Sequence, residues 1–451
     1  MGTIAIQNAT IINEGRHFLG SVIIRDGLID QIITDTSQPI VADEIIEANG
    51  KFLLPGVIDD QVHFREPGLT HKGTIYSESR AAVAGGVTSF MEMPNTNPQT
   101  TSFEELDHKH HIAQEHSLAN YSFYFGATNS NVDLLPKIKP ENVCGVKVFM
   151  GSSTGNMLVD NPNSLEQIFK ASPVLIATHC EDEDTIKSNL ALYSKKYGDN
   201  IPFSAHPDIR SAEACFLSSS LAVKLAKQFN ARLHILHLST EKEMELLSND
   251  LPISKKRITG EVCLHHLWFN DTFYDKLSWR IKWNPAVKKE SDRLALIRAL
   301  KNDTLDILAT DHAPHTLAEK SNPYNTSPSG GPMVQHSLVA MLEMVSKGIF
   351  TIEMVVEKMC HAPAELFRIQ KRGFIREGYH ADLVIVDPNA RWKVTPESIL
   401  YKCGWSPLEG ETFGSKVTHT FVNGRLVYAN GSFNESVKGT ALVFGATHTT
   451  D

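Results

Sequence analysis

Eight short apolar segments, separated by longer stretches with helical periodicity, constrain the fold of this 451-residue chain more than any other feature. They lie at residues 53–59, 87–93, 121–127, 145–150, 173–179, 232–238, 257–263 and 305–310. Short apolar runs that alternate with helices are typical of βα units, which build a parallel sheet. Eight such units predict a (β/α)8 barrel over residues 53–370, with its active site at the C-terminal ends of the strands.

The two ends of the chain have a different pattern, with short strands broken by Gly and Asp turns. Residues 3–50 read as strands, and a similar pattern returns at 380–387 and 416–431, where Asn423-Gly424 indicates a hairpin. We therefore expect residues 1–52 and 371–451 to meet in one small β-sandwich beside the barrel. Two separate β caps are the alternative.

The composition excludes several classes of function. A net charge of -9 argues against nucleic acid and anionic membranes as partners, and no apolar stretch approaches the roughly 18 residues of a membrane helix. The N-terminus lacks the pattern of a signal peptide, and the six scattered cysteines form no CxxC pair. We therefore expect free thiols, a cytoplasmic location and a small-molecule ligand, with a homodimer as the usual assembly.

Reactive side chains cluster where the apolar segments stop. Each has an ordinary structural explanation when taken alone, such as a lysine that extends its amine to solvent or an aspartate that caps the next helix. Their coincidence at one end of eight strands indicates a shared site instead. The residues at these ends are Gln61, His63, Arg65, Asn95, Lys147, His179, His237, His265, His266, Asp311, His312 and His315.

Imidazoles, a carboxylate and a buried lysine together suit zinc. Three or four converging ligands would hold one ion, and five or six would hold two ions about 3.5–4 Å apart. Two ions need an anionic bridge, which Lys147 is placed to supply from inside its apolar strand. Burial disfavours the ammonium form of such a lysine, and the neutral amine can take up CO2 to become a carbamate.

Several motifs in combination resemble the class I dihydroorotases of the amidohydrolase superfamily, over nearly the whole chain. They are PGVIDDQVHFREPG (55–68), MPNTNP (93–98), KVFMGSSTGNM (147–157), THCED (178–182), HLST (237–240), EVCLHHL (261–267), KWNPAVK (282–288), ATDHAPH (309–315) and CGWSPLEGETFGSKVTHTFVNGRLVY (403–428). The resemblance implies a zinc enzyme of pyrimidine biosynthesis. Such an enzyme reversibly hydrolyses dihydroorotate to N-carbamoyl-aspartate by attack of a metal-activated hydroxide on the cyclic amide.

The resemblance also implies a role for each matching residue. His63 would bind one metal together with Lys147 and Asp311. His179 and His237 would bind the second, with carbamylated Lys147 as the bridge, and Asp311 would also be the catalytic acid and base. The residues that would bind substrate are Arg65, Asn95, Asn284 and His315.

Arg65 separates this group from related enzymes that act on neutral rings. Its guanidinium offers a bidentate fork to the free carboxylate of dihydroorotate, which hydantoinases and dihydropyrimidinases do not need. A salt bridge to Glu66 is the alternative role for Arg65. A hydantoinase-type cyclic amidase is the corresponding alternative function.

Gln61 departs from the pattern, because the related motif has a histidine in its place. A glutamine carbonyl matches zinc less well than an imidazole does. Three possibilities stay open: Gln61 ligates a weakly held second metal, one zinc at His179 and His237 dominates, or the chain is a catalytically silent scaffold. The polar segment 315–333 is either a loop that closes over substrate or an ordinary surface connection.

Overall fold

The structure, a computed structural model, describes residues 2–35, 39–151 and 157–445. Residues 152–156 of the motif KVFMGSSTGNM therefore lie outside the described residues, as do residues 446–451 of the C-terminal segment. The strands, numbered in chain order, are β1 Ile4–Asn13, β2 Arg16–Arg25, β3 Leu28–Ile33, β4 Glu44–Glu47, β5 Phe52–Pro55, β6 Val57–Val62, β7 Val87–Glu92, β8 Asn120–Phe123, β9 Phe125–Gly126, β10 Val146–Phe149, β11 Ile176–His179, β12 Leu233–Ile235, β13 Ile258–Cys263, β14 Ile307–Ala309, β15 Leu383–Asp387, β16 Trp392–Lys393, β17 Thr412–Phe413, β18 Lys416–Val422, β19 Arg425–Ala429 and β20 Ser432–Phe433.

The α-helices, numbered in the same way, cover the barrel and its loops. They are α1 Ile75–Ala84, α2 Phe103–His116, α3 Pro162–Ala171, α4 Glu183–Tyr197, α5 His206–Ile209, α6 Ala212–Phe229, α7 Leu264–Trp268, α8 Tyr274–Leu277, α9 Glu290–Lys301, α10 Leu317–Lys320, α11 Ser337–Ser346, α12 Ile352–Val356 and α13 Ala362–Phe367. Several begin at a side chain that accepts from a free backbone amide, such as Thr74 before α1 and Ser211 before α6. None of the described helices is both long and apolar enough to cross a bilayer.

Strands β6 to β14 form a closed parallel barrel. A sheet of order β6-β7-β8 is followed by a sheet of order β14-β13-β12-β11-β10-β9, and β8 and β9 are two parts of the third barrel strand. A parallel bridge between Val62 and His312 joins the first strand to the eighth and closes the ring. Every residue of β7 and β10 is buried, since one face meets the interior and the other meets helices. The predicted eight-stranded barrel is confirmed, although several strands are shorter than their apolar runs.

The two chain ends meet in one nine-stranded sheet of order β20-β19-β18-β15-β5-β1-β2-β3, with β4 paired to β1. Strand β5 joins them, because it pairs parallel with β1 and antiparallel with β15. Asn423 and Gly424 both have positive φ, as a two-residue type I′ turn requires, and they connect β18 to β19. The expected union of the two ends is therefore confirmed.

The terminal sheet is fixed to the barrel through a buried carboxylate. Asp382 accepts a hydrogen bond from Arg372, one of 3.2 Å from Nδ2 of Asn120 in β8, and one of 2.7 Å from the backbone N–H of Asn423. Only Gly56 separates β5 of this sheet from β6 of the barrel. The first barrel strand, which carries Gln61 and leads into His63 and Arg65, is therefore held at its beginning as well as at its end.

Candidate metal centre and active site

The C-terminal ends of the barrel strands surround a narrow cavity. The cavity brings together all the residues predicted to bind metal and three of the four predicted to bind substrate. The fourth, His315, contacts Arg65 at its edge. The predicted residues in the lining are Gln61, His63, Arg65, Asn95, Lys147, His179, His237, Asn284 and Asp311.

His179 and His237 face each other from adjacent strand ends. Nδ1 of His179 lies 2.9 Å from Nε2 of His237, and Nε2 of His179 lies 3.0 Å from Oε2 of Glu181. The carboxylate of Glu181 at this distance favours a proton on Nε2 of His179, which leaves the lone pair of Nδ1 directed at His237. Burial lowers the pKa of both imidazoles. The pair therefore has the neutral form and the orientation that a zinc ion requires.

His63 is oriented in a similar way by Asn95. Nδ1 of His63 donates to Oδ1 of Asn95 over 2.8 Å, while its Nε2 lies 3.2 Å from Oδ1 of Asp311. Burial lowers the pKa of His63 to about 4 despite the neighbouring Asp311. A neutral His63 therefore directs a lone pair at a carboxylate oxygen, which is favourable when a cation lies between them.

Lys147 reaches the same cavity from the middle of β10. Its side chain is 1% exposed, and its Nζ lies 4.6 Å from the centre of the Phe149 ring. Burial lowers the pKa of Lys147 from 10.5 to about 8, although Asp311 and Glu261 favour its charged form. Lys147 therefore does not extend to solvent, and its amine has the burial that favours the neutral form.

Gln61 makes contacts that occupy both ends of its amide. Its Nε2 donates toward Oδ1 of Asp311 over 3.4 Å, and its Oε1 accepts from the thiol of Cys263 over 3.6 Å. The opposite amide orientation would place a carbonyl oxygen against the Asp311 carboxylate, so the chemistry favours this one. In this orientation the NH2 group of Gln61 faces Asp311, a predicted metal ligand, and the carbonyl oxygen of Gln61 accepts from the thiol of Cys263.

Three residues of the site adopt left-handed backbone conformations that side chains seldom favour. The φ angles are +73° at Arg65, +39° at His237 and +46° at Asp311. Such conformations persist where surrounding contacts hold them, and they concentrate at functional sites. At His237 one of these contacts is a 3.0 Å hydrogen bond from its backbone N–H to Oε1 of Glu261.

Arg65 is buried without an acidic partner. Its Nε donates to the carbonyl of Pro314 over 2.9 Å, and its Nη2 lies 3.0 Å from Nε2 of His315. The alternative salt bridge to Glu66 does not form, since Oε2 of Glu66 accepts from the backbone of Ile75 instead. Within residues 2–35, 39–151 and 157–445, no carboxylate lies within 4 Å of this guanidinium. Buried charges are normally paired, so the site favours an anion here.

The remaining strand-end histidines support the loops around the cavity. His265 stacks on Trp283 with ring centres 4.3 Å apart, and His266 donates to the carbonyl of Pro285 over 3.2 Å. His312 donates to Oε2 of Glu78 over 2.9 Å and accepts from the backbone of Met333. These contacts place the loop that carries Asn284 and the segment that closes the eighth strand.

A second group of potential ligands lies one layer deeper in the barrel. His234 has its Nε2 3.4 Å from Oδ2 of Asp60 and 3.2 Å from Oε2 of Glu261, and all three are fully buried. Burial alone would lower the pKa of His234, but the neighbouring carboxyl groups of Asp60 and Glu261 raise it to about 9. His234 therefore lies as an imidazolium beside the carboxyl groups of Asp60 and Glu261, and Glu261 also accepts from the backbone of His237.

The segment 315–333 is anchored by buried lysines. Nζ of Lys282 donates to the carbonyl of Tyr324 over 2.7 Å, and Nζ of Lys320 donates to those of Lys282 and Pro328 over 3.2 and 2.9 Å. Ser329 and Gly330 of this segment line the cavity. The segment is therefore part of the cavity wall, unlike an ordinary surface connection, and its closing over substrate stays a prediction.

The donor set fits zinc at the His179 and His237 position better than at the His63 position. The former has two neutral imidazoles with converging nitrogens, and Glu181 behind them holds one of the rings. The latter has one imidazole and Asp311, with Gln61 engaged elsewhere. Lys147, once carbamylated, is the residue that could contribute to both.

Sequence reasoning missed the residues that support the ligands. Glu181 was inside a quoted motif and follows His179 by two positions, which was a usable signal. Its own partner Arg210 and the thiol of Cys263 come from distant segments. No local pattern marks either contact.

Comparison with known proteins shows that the chain belongs to the amidohydrolase family. Residues 52–427 match the amidohydrolase family. The chain is 31% identical over 445 residues to a dihydroorotase of Pyrococcus furiosus, covering 97% of each chain. It is also 31% identical over 441 residues to a dihydroorotase of Anaplasma phagocytophilum, covering 94% of this chain and 95% of that one.

The solved structures it resembles belong to neighbouring cyclic amidases. An L-hydantoinase (dihydropyrimidinase) of Arthrobacter aurescens superimposes with a TM-score of 0.92 at 25% identity, covering 98% of this chain and all of that one. A dihydropyrimidinase of Brevibacillus agri superimposes with a TM-score of 0.85 at 23% identity, covering 96% of each chain. The second likeness bears on the fold alone.

Proposed function

Because the chain belongs to the amidohydrolase family, we propose that it acts as a dihydroorotase, which interconverts dihydroorotate and N-carbamoyl-aspartate. The observation that carries this choice is the buried guanidinium of Arg65, which faces the cavity without an acidic partner among the described residues. Dihydroorotate is a cyclic amide with a free carboxylate, which is the group that such a guanidinium binds in a bidentate fashion. The relatives named dihydroorotase cover nearly the full chain and support the same choice.

The proposed cofactor is zinc, with one ion at His179 and His237 and a second, weaker position at His63 and Asp311. Zinc, when bound, would lower the pKa of a water to about 7 and polarise the attacked carbonyl. The buried amine of Lys147 supports the proposed bridging carbamate, because its pKa of about 8 leaves a neutral fraction at physiological pH. Carbamylation would join Nζ to the carbon of CO2 and release one proton.

The protein side chains would carry out the proton transfers and hold the ring. Asp311 lies at the cavity wall, where it can accept the proton of the attacking water and pass it to the departing ring nitrogen. That transfer accompanies cleavage of the ring carbon–nitrogen bond and leaves a new carboxylate and a carbamoyl group. Arg65, Asn95, Asn284 and His315 are proposed to bind the substrate. Asn95 also accepts a hydrogen bond from Nδ1 of His63.

A hydantoinase-type activity is the second candidate, and the likeness to the Arthrobacter structure favours it. It would act on neutral rings and would leave the charge of Arg65 unmatched. A silent scaffold is less well supported, because the cavity retains Lys147, His179, His237 and Asp311. The homodimer and the cytoplasmic location stay predictions.

The test is an assay of purified, zinc-loaded protein with three substrates. Loss of dihydroorotate is followed by ultraviolet absorbance, and hydantoin and dihydrouracil are assayed in parallel. We expect dihydroorotate to be turned over fastest, and Arg65→Met to lower its kcat/KM about 10- to 100-fold because a charge-assisted hydrogen bond is lost. Faster turnover of either neutral ring would favour the second candidate, and no turnover of any would favour the scaffold.

A further inference from the structure

We propose that Lys72 is a positioning residue for the substrate carboxylate, because it fixes His315 in the tautomer with its proton on Nε2, which cannot accept from Arg65 and so leaves that guanidinium for the substrate. This inference rests on the proposed function and adds a residue to it. Lys72 is buried in the loop after β6, and His315 is fully buried in the segment after β14. Neither the motif positions nor the cavity lining assigns a role to this lysine.

Lys72 and Arg65 contact opposite nitrogens of one imidazole. Nζ of Lys72 lies 3.0 Å from Nδ1 of His315, and Nη2 of Arg65 lies 3.0 Å from its Nε2. Nε2 of His315 also lies 3.0 Å from the carbonyl oxygen of Ser329. The ring is therefore held between two cationic side chains and one carbonyl.

The tautomer follows from which of these groups can accept a hydrogen bond. Lys72 and Arg65 both donate only, but the carbonyl of Ser329 beside Nε2 only accepts, so Nε2 is the donor and Nδ1 of His315 accepts from Lys72. A neutral imidazole has one acceptor and one donor, so its proton lies on Nε2 and is donated to Ser329. Burial, together with Arg65 and Lys72, holds the pKa of His315 well below its usual value, which supports the neutral ring.

This tautomer leaves Arg65 without an acceptor on the ring. With the proton of Nε2 donated to Ser329, His315 offers no lone pair to the N–H groups at Nη2 of Arg65, 3.0 Å away. A substrate carboxylate would accept from these N–H groups, whereas a neutral ring edge would leave the guanidinium charge unmatched. The arrangement therefore selects for a substrate with a negatively charged substituent.

Lys72 also contributes to the charge balance of the pocket. Its Nζ lies 3.1 Å from Oε1 of Glu319, which is partly exposed and forms a capping box with Thr316 at the start of α10. Among the residues that the structure describes, Glu319 is the one carboxylate within 4 Å of either cation. The two positive charges of Lys72 and Arg65 and the one negative charge of Glu319 sum to one net positive charge at the edge of the cavity.

The experiment compares steady-state kinetics and ligand binding in four proteins: wild type, Lys72→Met, Lys72→Arg and Lys402→Met. Lys402 is a matched control, because it is exposed and its Nζ donates to the backbone of Thr70 in the same loop. We expect Lys72→Met to raise the KM for dihydroorotate about 10- to 100-fold with kcat within about 3-fold of wild type. Lys72→Arg, which keeps a donor cation, should recover most of this loss, and Lys402→Met should equal wild type.

Several results would overturn the proposal. A KM for Lys72→Met within 2-fold of wild type would do so, and so would a fall in kcat with KM unchanged, since a carboxylate contact acts on binding. If wild type fails to turn over dihydroorotate, the proposed function fails, and Lys72 is then tested by calorimetric binding of orotate. Weaker orotate binding by Lys72→Met, with Lys402→Met unchanged, would support the role of Lys72, and equal binding or none in wild type would reject it.

A folding defect is kept separate from this role by two measurements. The thermal midpoint of each variant shows whether Lys72→Met has lost its fold. Binding of dihydrouracil, which has the ring but lacks the carboxylate, should change less than about 2-fold in any folded variant. An equal loss of affinity for both ligands would mean that Lys72 merely supports the cavity wall, which contradicts the proposal.

Discussion

Nδ1 of His179 and Nε2 of His237 lie 2.9 Å apart at the ends of adjacent barrel strands. Two nitrogens bound to one tetrahedral zinc ion would be about 3.3 Å apart, given bonds of about 2.0 Å. The side chains therefore need to separate by only about 0.4 Å to bind zinc in this way. Little reorganisation is required, so this position should hold its metal more tightly than the one beside His63.

The first prediction concerns metal retention. Mild chelation should leave about one zinc ion per chain. The position beside His63 and Asp311 has only one imidazole, because Gln61 stands where the related motif has a histidine. Gln61→His should raise the retained zinc toward two, and elemental analysis after dialysis measures both. Cys263→Ala is a useful companion, since it frees the Gln61 carbonyl without adding an imidazole. Two equally resistant ions in wild type would contradict the prediction.

The second prediction concerns Glu181, whose carboxylate lies 3.0 Å from Nε2 of His179 and favours a proton there. Burial alone would raise the pKa of Glu181, but Arg210 and His179 hold it at about 2, so the group is a carboxylate. Glu181→Gln keeps the shape but allows the amide to donate to His179, which removes the constraint on its proton. We expect zinc affinity to fall about 10- to 100-fold, as measured by competition with a chelator of known affinity. An unchanged affinity in the folded variant would mean that Glu181 does not orient the ligand.

The fold could be predicted because burial on both faces makes each barrel strand a short apolar run. Strand β10 is an example, since Lys147 interrupts an otherwise apolar segment whose residues are all buried. The position of the site followed from the same geometry, because parallel strands bring their C-terminal ends to one side of the barrel. His179 and His237 could therefore be placed together although 58 residues separate them.

The contacts that tune the site could not be predicted, because they join segments distant in sequence. The thiol of Cys263 and the amide of Gln61 are 202 residues apart in sequence. Neither a cysteine nor a glutamine indicates by itself that it will form this hydrogen bond. Segment 315–333 shows a second limit. Its Gly, Pro, Ser and Asn content indicates a loop, but it does not reveal that Lys282 and Lys320 are buried against its carbonyls.

The third prediction concerns Lys147. Lys147→Ala should abolish turnover, because it removes the amine that would carry the bridging carbamate. Small carboxylic acids such as acetate should restore part of the activity by filling the cavity that the side chain leaves. Lys109→Ala is not a suitable control, since Lys109 is itself buried against Glu92 at 2.9 Å. The exposed variant Lys276→Met serves instead, and an unimpaired Lys147→Ala would remove the carbamate from the mechanism.

The last prediction concerns the pH dependence of stability through Lys282, which anchors the segment that lines the cavity. Burial, with Arg210 nearby, lowers its pKa from 10.5 to about 7 in the folded protein. Between these values the unfolded chain binds more protons than the folded chain. The contribution of Lys282 to the free energy of unfolding therefore rises with pH across this window, by at most about 1.4 kcal/mol per pH unit, and it is lost as pH falls through 7. Lys282→Met should remove this rise, which denaturant unfolding at pH 7, 8 and 9 can detect as a difference between the two proteins. Lys276→Met should follow wild type at each pH, and parallel curves for Lys282→Met and wild type would show that the buried amine does not titrate in this window.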